Sequence, residues 1–411
     1  MKHILTIGLM CLATAASAQR MKKERLTVSY VQPPSIHLED GMGYSSTVIL
    51  DYKAEVEAEL ATAEEEYQAA LAEYPEKEAA AKAAHDELVA NYEHALEDWN
   101  SKSGVGKIIE KQVLENSKPQ PPRPYYPPSK PSKRTVKTLK LFSEDQLAST
   151  YCRVEGLDAD ENGVNIEVHL FGYENDDPVV DKQEYKEYNS KTKTSTTLIK
   201  SQWKFNYRHS MSLRAVHPNG TILFDEVPNA INEFKAYESG LEKRSYPSST
   251  AQTHVDKMES KVVDDNLAVI QWLINDKLGT TTQSRAVEVI YVNNKKGAYD
   301  DLETAMFDAK EGYTMLTSRA DEAKGKIRSA IEAWEAALDE ADMDDKKARI
   351  NAKIVPDLYN NLLFGCAMVE DFDRADDHYA ASLRLDLSNR DENNLKELKL
   401  LIDDLRARHQ K

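Results

Sequence analysis

Apolar residues recur along this chain with two distinct periods, and the changes of period divide it. From Leu26 to Val31 apolar and polar residues alternate, the period of a strand with one buried face, and Pro33-Pro34 ends the run. A second short apolar stretch, Ser46 to Asp51, leads into a helical region. There Tyr52, Val56, Leu60, Ala63, Tyr67, Leu71 and Tyr74 recur at steps of three and four, as do Ala81, His85, Leu88, Tyr92, Ala95 and Trp99. Each set is one stripe of an α-helix, with glutamates on the opposite face. Pro75 falls between the sets, where it suits the first turn of a new helix. The pattern predicts two helices folded back as an antiparallel hairpin over 51–100, sealed along the Tyr/Leu/Ala stripes. A single kinked helix is the competing arrangement.

Residues 117–134 hold seven prolines between Pro119 and Pro131 and read as an extended polyproline-type connector, a stiff spacer returning the chain from the hairpin. Period two then returns. Val164, Ile166, Val168 and Leu170 alternate with polar residues, as do Trp203, Phe205, Tyr207, His209, Met211 and Leu213. Residues 181–200 are polar and predict a long exposed loop or hairpin tip, and Pro218-Asn219-Gly220 predicts a tight hairpin turn. A helix over 252–278, capped by Gly279, and a strand from Ala286 to Val292 follow. From Tyr299 onward the period is helical. The fold class predicted is α+β: a small mixed α/β domain over 19–297 with the acidic hairpin inserted after its first strand, then an all-α domain over 298–411.

Charge sharpens this picture. Residues 51–100 carry 15 acids against three bases, whereas the proline-rich connector has five bases and no acid, so the two can pair within one molecule. The whole chain has 53 Lys and Arg against 70 Asp and Glu, which excludes a generally basic nucleic-acid binder. Residues 1–18 have a positive start, an apolar run from Ile4 to Ala13 and an Ala16-Ser17-Ala18 ending, the pattern of a signal peptide cleaved before Gln19. The remaining chain has no apolar run long enough for a membrane span. Signals ending in Ala and followed by Gln resemble those of Bacteroidota envelope proteins, which implies a periplasmic or secreted location. Cys152 and Cys366 then remain, and two unpaired buried thiols are the simpler expectation.

The C-terminal helices carry a motif. Ala330 and Ala337 flank Trp334, and Ala375 and Ser382 flank Tyr379, so small residues recur seven apart with an aromatic between them. Counting back from Ala375 places Tyr359, Asn361 and Leu362 on a preceding helix and Asp371-Phe372 at the turn between the two. This arrangement resembles tetratricopeptide (TPR) repeats over about 300–390. Leu363 departs from the family's small residue, and Leu387 stands where the family often has Pro. Ala330 and Ala375 lie 45 residues apart, not 34, and the acidic stretch from Asp339 to Asp345 would absorb the difference. The resemblance implies a helical surface that holds peptides or partner domains. Residues 389–408 read as a capping helix.

Motifs for chemistry are absent. Ser103 to Lys107 lacks the spacing of a phosphate loop and reads as a glycine turn. His169, His209 and His217 have no neighbouring ligands at metal spacing, and Asp158, Asp160, Glu161 and Asn162 lack the later bidentate Glu of a calcium loop. No catalytic, cofactor-binding or metal-ligating residue is assigned, and no cofactor is expected. The sequence therefore points to a non-enzymatic periplasmic scaffold or adaptor with protein partners in the cell envelope, no nucleic acid and no membrane span. An envelope chaperone is the alternative, and an enzyme with a site assembled from distant residues the third reading.

Overall fold

A computed structural model describes residues 20–105, 118–293 and 297–410. The segment 1–18 read as a signal peptide lies outside them, as do Gly106 and Lys107 of the glycine turn. The described residues form a mixed α/β structure with two main cores, joined at one corner, and a long arm.

The first core is a sheet with a helix across it. Strand β1 (Arg20–Gln32) takes no part in it. Its strands are β2 (Tyr44–Leu50), β3 (Val164–Asn175), β4 (Val179–Asn189), β5 (Thr194–Val216), β6 (Ile222–Glu226) and β7 (Lys235–Glu238). The 23-residue β5 is the spine: β3 and β4 follow one another antiparallel along one side, and β6 and β7 along the other. Residues 181–200 are thus mostly a β4–β5 hairpin, and the turn at Asn219 joins β5 to β6, with Gly220 at φ +88°. Alternation along β3 and β5 buries Ile166, Val168, Leu170, Met211 and Leu213 against Leu267, Ile270 and Ile274 of helix α4 (Ala251–Leu278). Helix α2 (Glu144–Tyr151) closes the edge by β2, and α3 (Asn229–Asn232) is a single turn.

Strand β2 runs parallel to β3, so the chain between them must cross over, and the arm is that crossover. Here the predicted hairpin is corrected. Helix α1 runs unbroken from Lys53 to Ser101, 49 residues with Pro75 inside, and is about 74 Å long at 1.5 Å per residue. One proline removes one hydrogen bond and crowds one turn. Reversal at that point would need a loop, and Tyr74-Pro75-Glu76-Lys77 has no Gly or Asn to make one.

The stripe is partly covered by the proline-rich segment, which runs back along the helix and leaves Leu60, Leu71 and Leu88 exposed. Tyr74 and Tyr125 donate from their hydroxyls to the carbonyls of Pro128 and Glu78, at 3.0 and 3.3 Å. His85 Nε2 lies 2.9 Å from the Arg123 carbonyl, and Lys133 Nζ is 2.6 Å from Glu64. From His85 to Glu64 the helix advances about 32 Å, and from Arg123 to Lys133 a polyproline strand advances about 31 Å. The two rises match, so ten extended residues serve 21 helical ones. The basic connector and the acidic helix are paired within the molecule.

The second core corrects the domain boundary. Strand β1 pairs antiparallel with β8 (Thr281–Asn293) in an unbroken register from Arg20↔Asn293 to Gln32↔Thr281, apart from the main sheet. Val28, Tyr30, Val289 and Val292 of this ribbon pack among helices α5 (Asp300–Met315), α6 (Ala320–Asp339), α7 (Val355–Met368), α8 (Phe372–Ser382) and α9 (Asn389–His409). Residues 298–410 are helical, but their core is completed by two strands, so neither a cut at 297 nor an all-α unit describes it. The ribbon alone cannot bury its apolar face, and the helices supply the surface that does. Arg408 fixes the corner between the cores, donating to the Asp276 side chain at 2.7 Å and to the Pro33 carbonyl at 3.3 Å.

Candidate functional site

The residues singled out in the C-terminal motif occupy the second core. Ala330, Trp334, Ala337, Leu362, Ala375 and Ser382 are fully buried, and Tyr359 and Tyr379 are half-buried against the same core. Small residues set the spacing: a Cβ on Gly312 of α5 would lie 2.6 Å from Ile327 of α6, and one on Gly365 of α7 would meet Ile331 at 3.1 Å. The close approach made at Gly365 stands two residues beyond Leu363, where the repeat family has its small residue. Glu335 of α6 accepts from both Arg374 and His378 of α8, which holds its carboxyl below the usual range. Residues 340–354 form the connection that carries the extra length, tied to α5 by a bidentate Arg349–Asp301 pair at 2.8 and 2.9 Å.

Asn361 does something different. Its side-chain amide accepts from the Ile290 N–H at 3.1 Å and donates to the Ile290 carbonyl at 2.7 Å, both buried. An amide side chain here takes the place that a neighbouring strand's backbone would take on the outer edge of β8. That one pair fixes the edge: N–H and C=O directions alternate along a strand, so those of Glu288, Ala286 and Ser284 point the same way as those of Ile290. No backbone partner meets them among the described residues.

This unpaired edge borders a cleft of about 500 Å³ between β8, the start of α7 and the N-terminal half of α9. Its size is that of a ligand site, while its walls are more polar than most. Asp357, Asn360 and Phe364 line it from one face of α7, and Arg390, Asn394 and Glu397 from one face of α9. Glu288 is engaged by Lys23 and Arg25 at 2.5 and 3.0 Å, and Asp391 receives the Ser388 hydroxyl at 2.7 Å. Although the Asp357 backbone N–H donates to the Ile354 carbonyl at 3.1 Å, its carboxylate has neither hydrogen bond nor ion pair among the described residues. Burial pushes its pKa up to about 6, with Lys23 opposing and Asp391 reinforcing the shift. A carboxylate held half-buried without a partner is a cost to folding, and such costs concentrate where a protein meets something else. Neither Asp357 nor the edge of β8 was foreseen, because the two are joined only by the packing of α7 on the ribbon.

A larger concavity, about 720 Å³, lies on the arm between helix and polyproline strand, lined mostly by apolar side chains such as Leu88, Tyr92, Pro122 and Tyr126. The histidines are separate from both. His169 pairs with Asp51 at 2.9 Å, and His217 Nδ1 accepts from the Asn219 N–H within its turn. His209 is buried at the arm's root, its ring 6.3 Å from that of Tyr52, and neither nitrogen has a partner among the described residues. Asp160 accepts from the Asn162 N–H to hold a local turn, and no cluster of three metal-ligating side chains exists among the described residues. Cys152 and Cys366 are free thiols buried in different cores, each pushed up to about 12 by burial. No helix among the described residues is long and apolar enough to cross a membrane.

No protein-family model matches the chain, and no curated protein or solved structure does so either.

Proposed function

We propose that this chain is a non-enzymatic interaction scaffold of the cell envelope, and that a protein partner is held in the cleft between β8, α7 and α9. The observation that carries this reading is the partnerless Asp357 facing an unpaired strand edge. The C-terminal helices supply the frame of the cleft, and the full burial of Trp334, Leu362 and Ala375 between them supports a close-packed one. The signal-like pattern of residues 1–18 supports a location in the periplasm or outside the cell. The arm is rooted in the first core through Tyr52 and Val56 and serves as a spacer.

A photo-crosslinking residue placed at Asn394, and separately at Gln68 on the arm, tests the scaffold in its own host. One reproducible partner captured from Asn394 and little from Gln68 is the expected outcome. The apolar groove along the arm favours a second reading, a chaperone for outer-membrane or secreted proteins. Many unrelated clients on the arm, with none at Asn394, would replace the first reading with the second.

A further inference from the structure

We infer that the cleft takes an extended segment of a partner protein as a third strand on the free edge of β8, with a Lys or Arg side chain of that segment paired to Asp357. This deepens the scaffold reading and rests on it.

Three observations lead to it independently. The first is direction. Asn361 meets the outward N–H and C=O of Ile290, so the outward groups of Ala286 and Glu288 lie on the same edge, beside the cleft that both residues line. A strand edge with free donors and acceptors pairs with another extended chain, and the hydrogen bonds it offers are indifferent to that chain's side chains. The second is space. Asn361 closes the edge at Ile290, and α9 stands back from β8 on the far side of the cleft, touching it through the long Arg285–Glu397 pair at 4.0 Å. An added strand needs a gap of this kind, since strands lie about 4.8 Å apart.

The third is charge. Around Asp357 stand Lys23 and Glu288 from the ribbon and Arg390 and Asp391 from α9. Glu288 is neutralised by Lys23 and Arg25, and Asp391 is committed to the cap of α9. Arg390 has no acidic partner among the described residues, yet it does not bond Asp357. The carboxylate therefore awaits a cation from outside, and Arg390 remains for an acidic group farther along the same segment. Main-chain bonds to β8 would supply affinity, and the two charges would set register, because a strand shifted by one residue turns its side chains to the other face.

The experiment is a positional-scanning library of N-acetylated nonapeptides, screened by fluorescence anisotropy against the purified protein. Selected peptides should carry Lys or Arg at one fixed position and exclude Pro at alternate positions, where an N–H must reach the edge. For the best peptide, Asp357→Asn should weaken binding about tenfold, and affinity should fall as pH drops below about 6, where Asp357 takes up a proton. Ala286→Pro removes one outward N–H, leaves the β1 ladder's own donors in place, and should weaken binding by a similar factor with an unchanged circular dichroism spectrum. Peptides that bind equally well to both variants, or accept Pro everywhere, overturn strand addition while leaving a partner in the cleft. No binding by any peptide, together with no capture at Asn394, overturns the cleft reading itself. Concentration-dependent dimerisation lost in Ala286→Pro, with no peptide bound, would make a second copy of this chain the occupant and also overturn the inference.

Discussion

Helix α1 has 49 residues and buries two of them, Val56 and Ala63, whereas α6 has 20 residues and buries six. Both are rich in alanine and glutamate and carry an apolar stripe, so composition alone does not separate them. What differs is the surface opposite. In the second core α6 meets α5, α7 and α8, and its stripe is enclosed on all sides. On the arm the stripe meets one polyproline strand, which shields it from one direction and bonds it through tyrosine hydroxyls and lysines. The lesson is that a helix of good intrinsic propensity needs little packing to persist, but gains most of its stability only when packed.

The largest effect should come from breaking the enclosed side of this comparison. Trp334→Ala leaves a large void where the ring met Gly365 and its neighbours and is expected to cost about 4 kcal/mol, measured by urea unfolding. Trp99→Ala, on the half-buried face of the arm, should cost under about 1 kcal/mol in the same measurement. Equal losses would mean that the arm and the second core form one cooperative unit.

The junction between arm and sheet gives the next effect. Burial pushes the pKa of His209 down to about 4 from an ordinary 6.5. Below pH 6.5 the unfolded chain binds a proton that the folded chain refuses, so stability is lost as pH falls from 6.5 to about 4. The loss amounts to about 3 kcal/mol from this group alone. His209→Leu should flatten that part of the pH–stability curve, and a curve of unchanged slope would show that the ring is solvated.

Asp357 has the opposite sign. Its raised pKa means that the folded chain binds the proton more tightly, so its contribution is present at low pH and disappears as pH rises through about 6. Asp357→Asn is expected to stabilise the free protein by about 2 kcal/mol at pH 7 and to change nothing near pH 4. A destabilised variant at pH 7 would show that the carboxylate has a structural partner. The smallest effect belongs to the arm. Tyr74→Phe removes the bond to Pro128 and should cost about 1 kcal/mol or less, visible as faster amide exchange in α1 near that turn and unchanged exchange in α6.

Much of the architecture was legible in the residues. The alternation of Val164 to Leu170 marked β3, the Asn219-Gly220 pair marked the turn between β5 and β6, and the spacing of Ala330, Trp334 and Ala337 marked a buried helix face. Each of these signals is local: a period or a turn residue reports which side of an element is covered. The stripe of the arm was read as sealed by a second helix, but a polyproline strand covers it only in part and leaves Leu60, Leu71 and Leu88 exposed, because periodicity does not say what lies opposite. Asp357 was invisible for a related reason. A single acid in the first turn of a helix is an ordinary favourable residue until the fold sets a strand edge beside it.

The sequence by itself determined many of the elements, the inner faces of β3, β5 and α6, and the opposite charges of arm and connector, because backbone preference, apolar period and charge act over a few residues. Only the tertiary structure decided that β1 leaves the sheet to join β8 under the C-terminal helices, that α1 continues unbroken past Pro75, and that Asn361 closes one end of a strand edge while leaving the rest open. Those outcomes compare distant surfaces competing for the same partner, and no local pattern records which of them buries more.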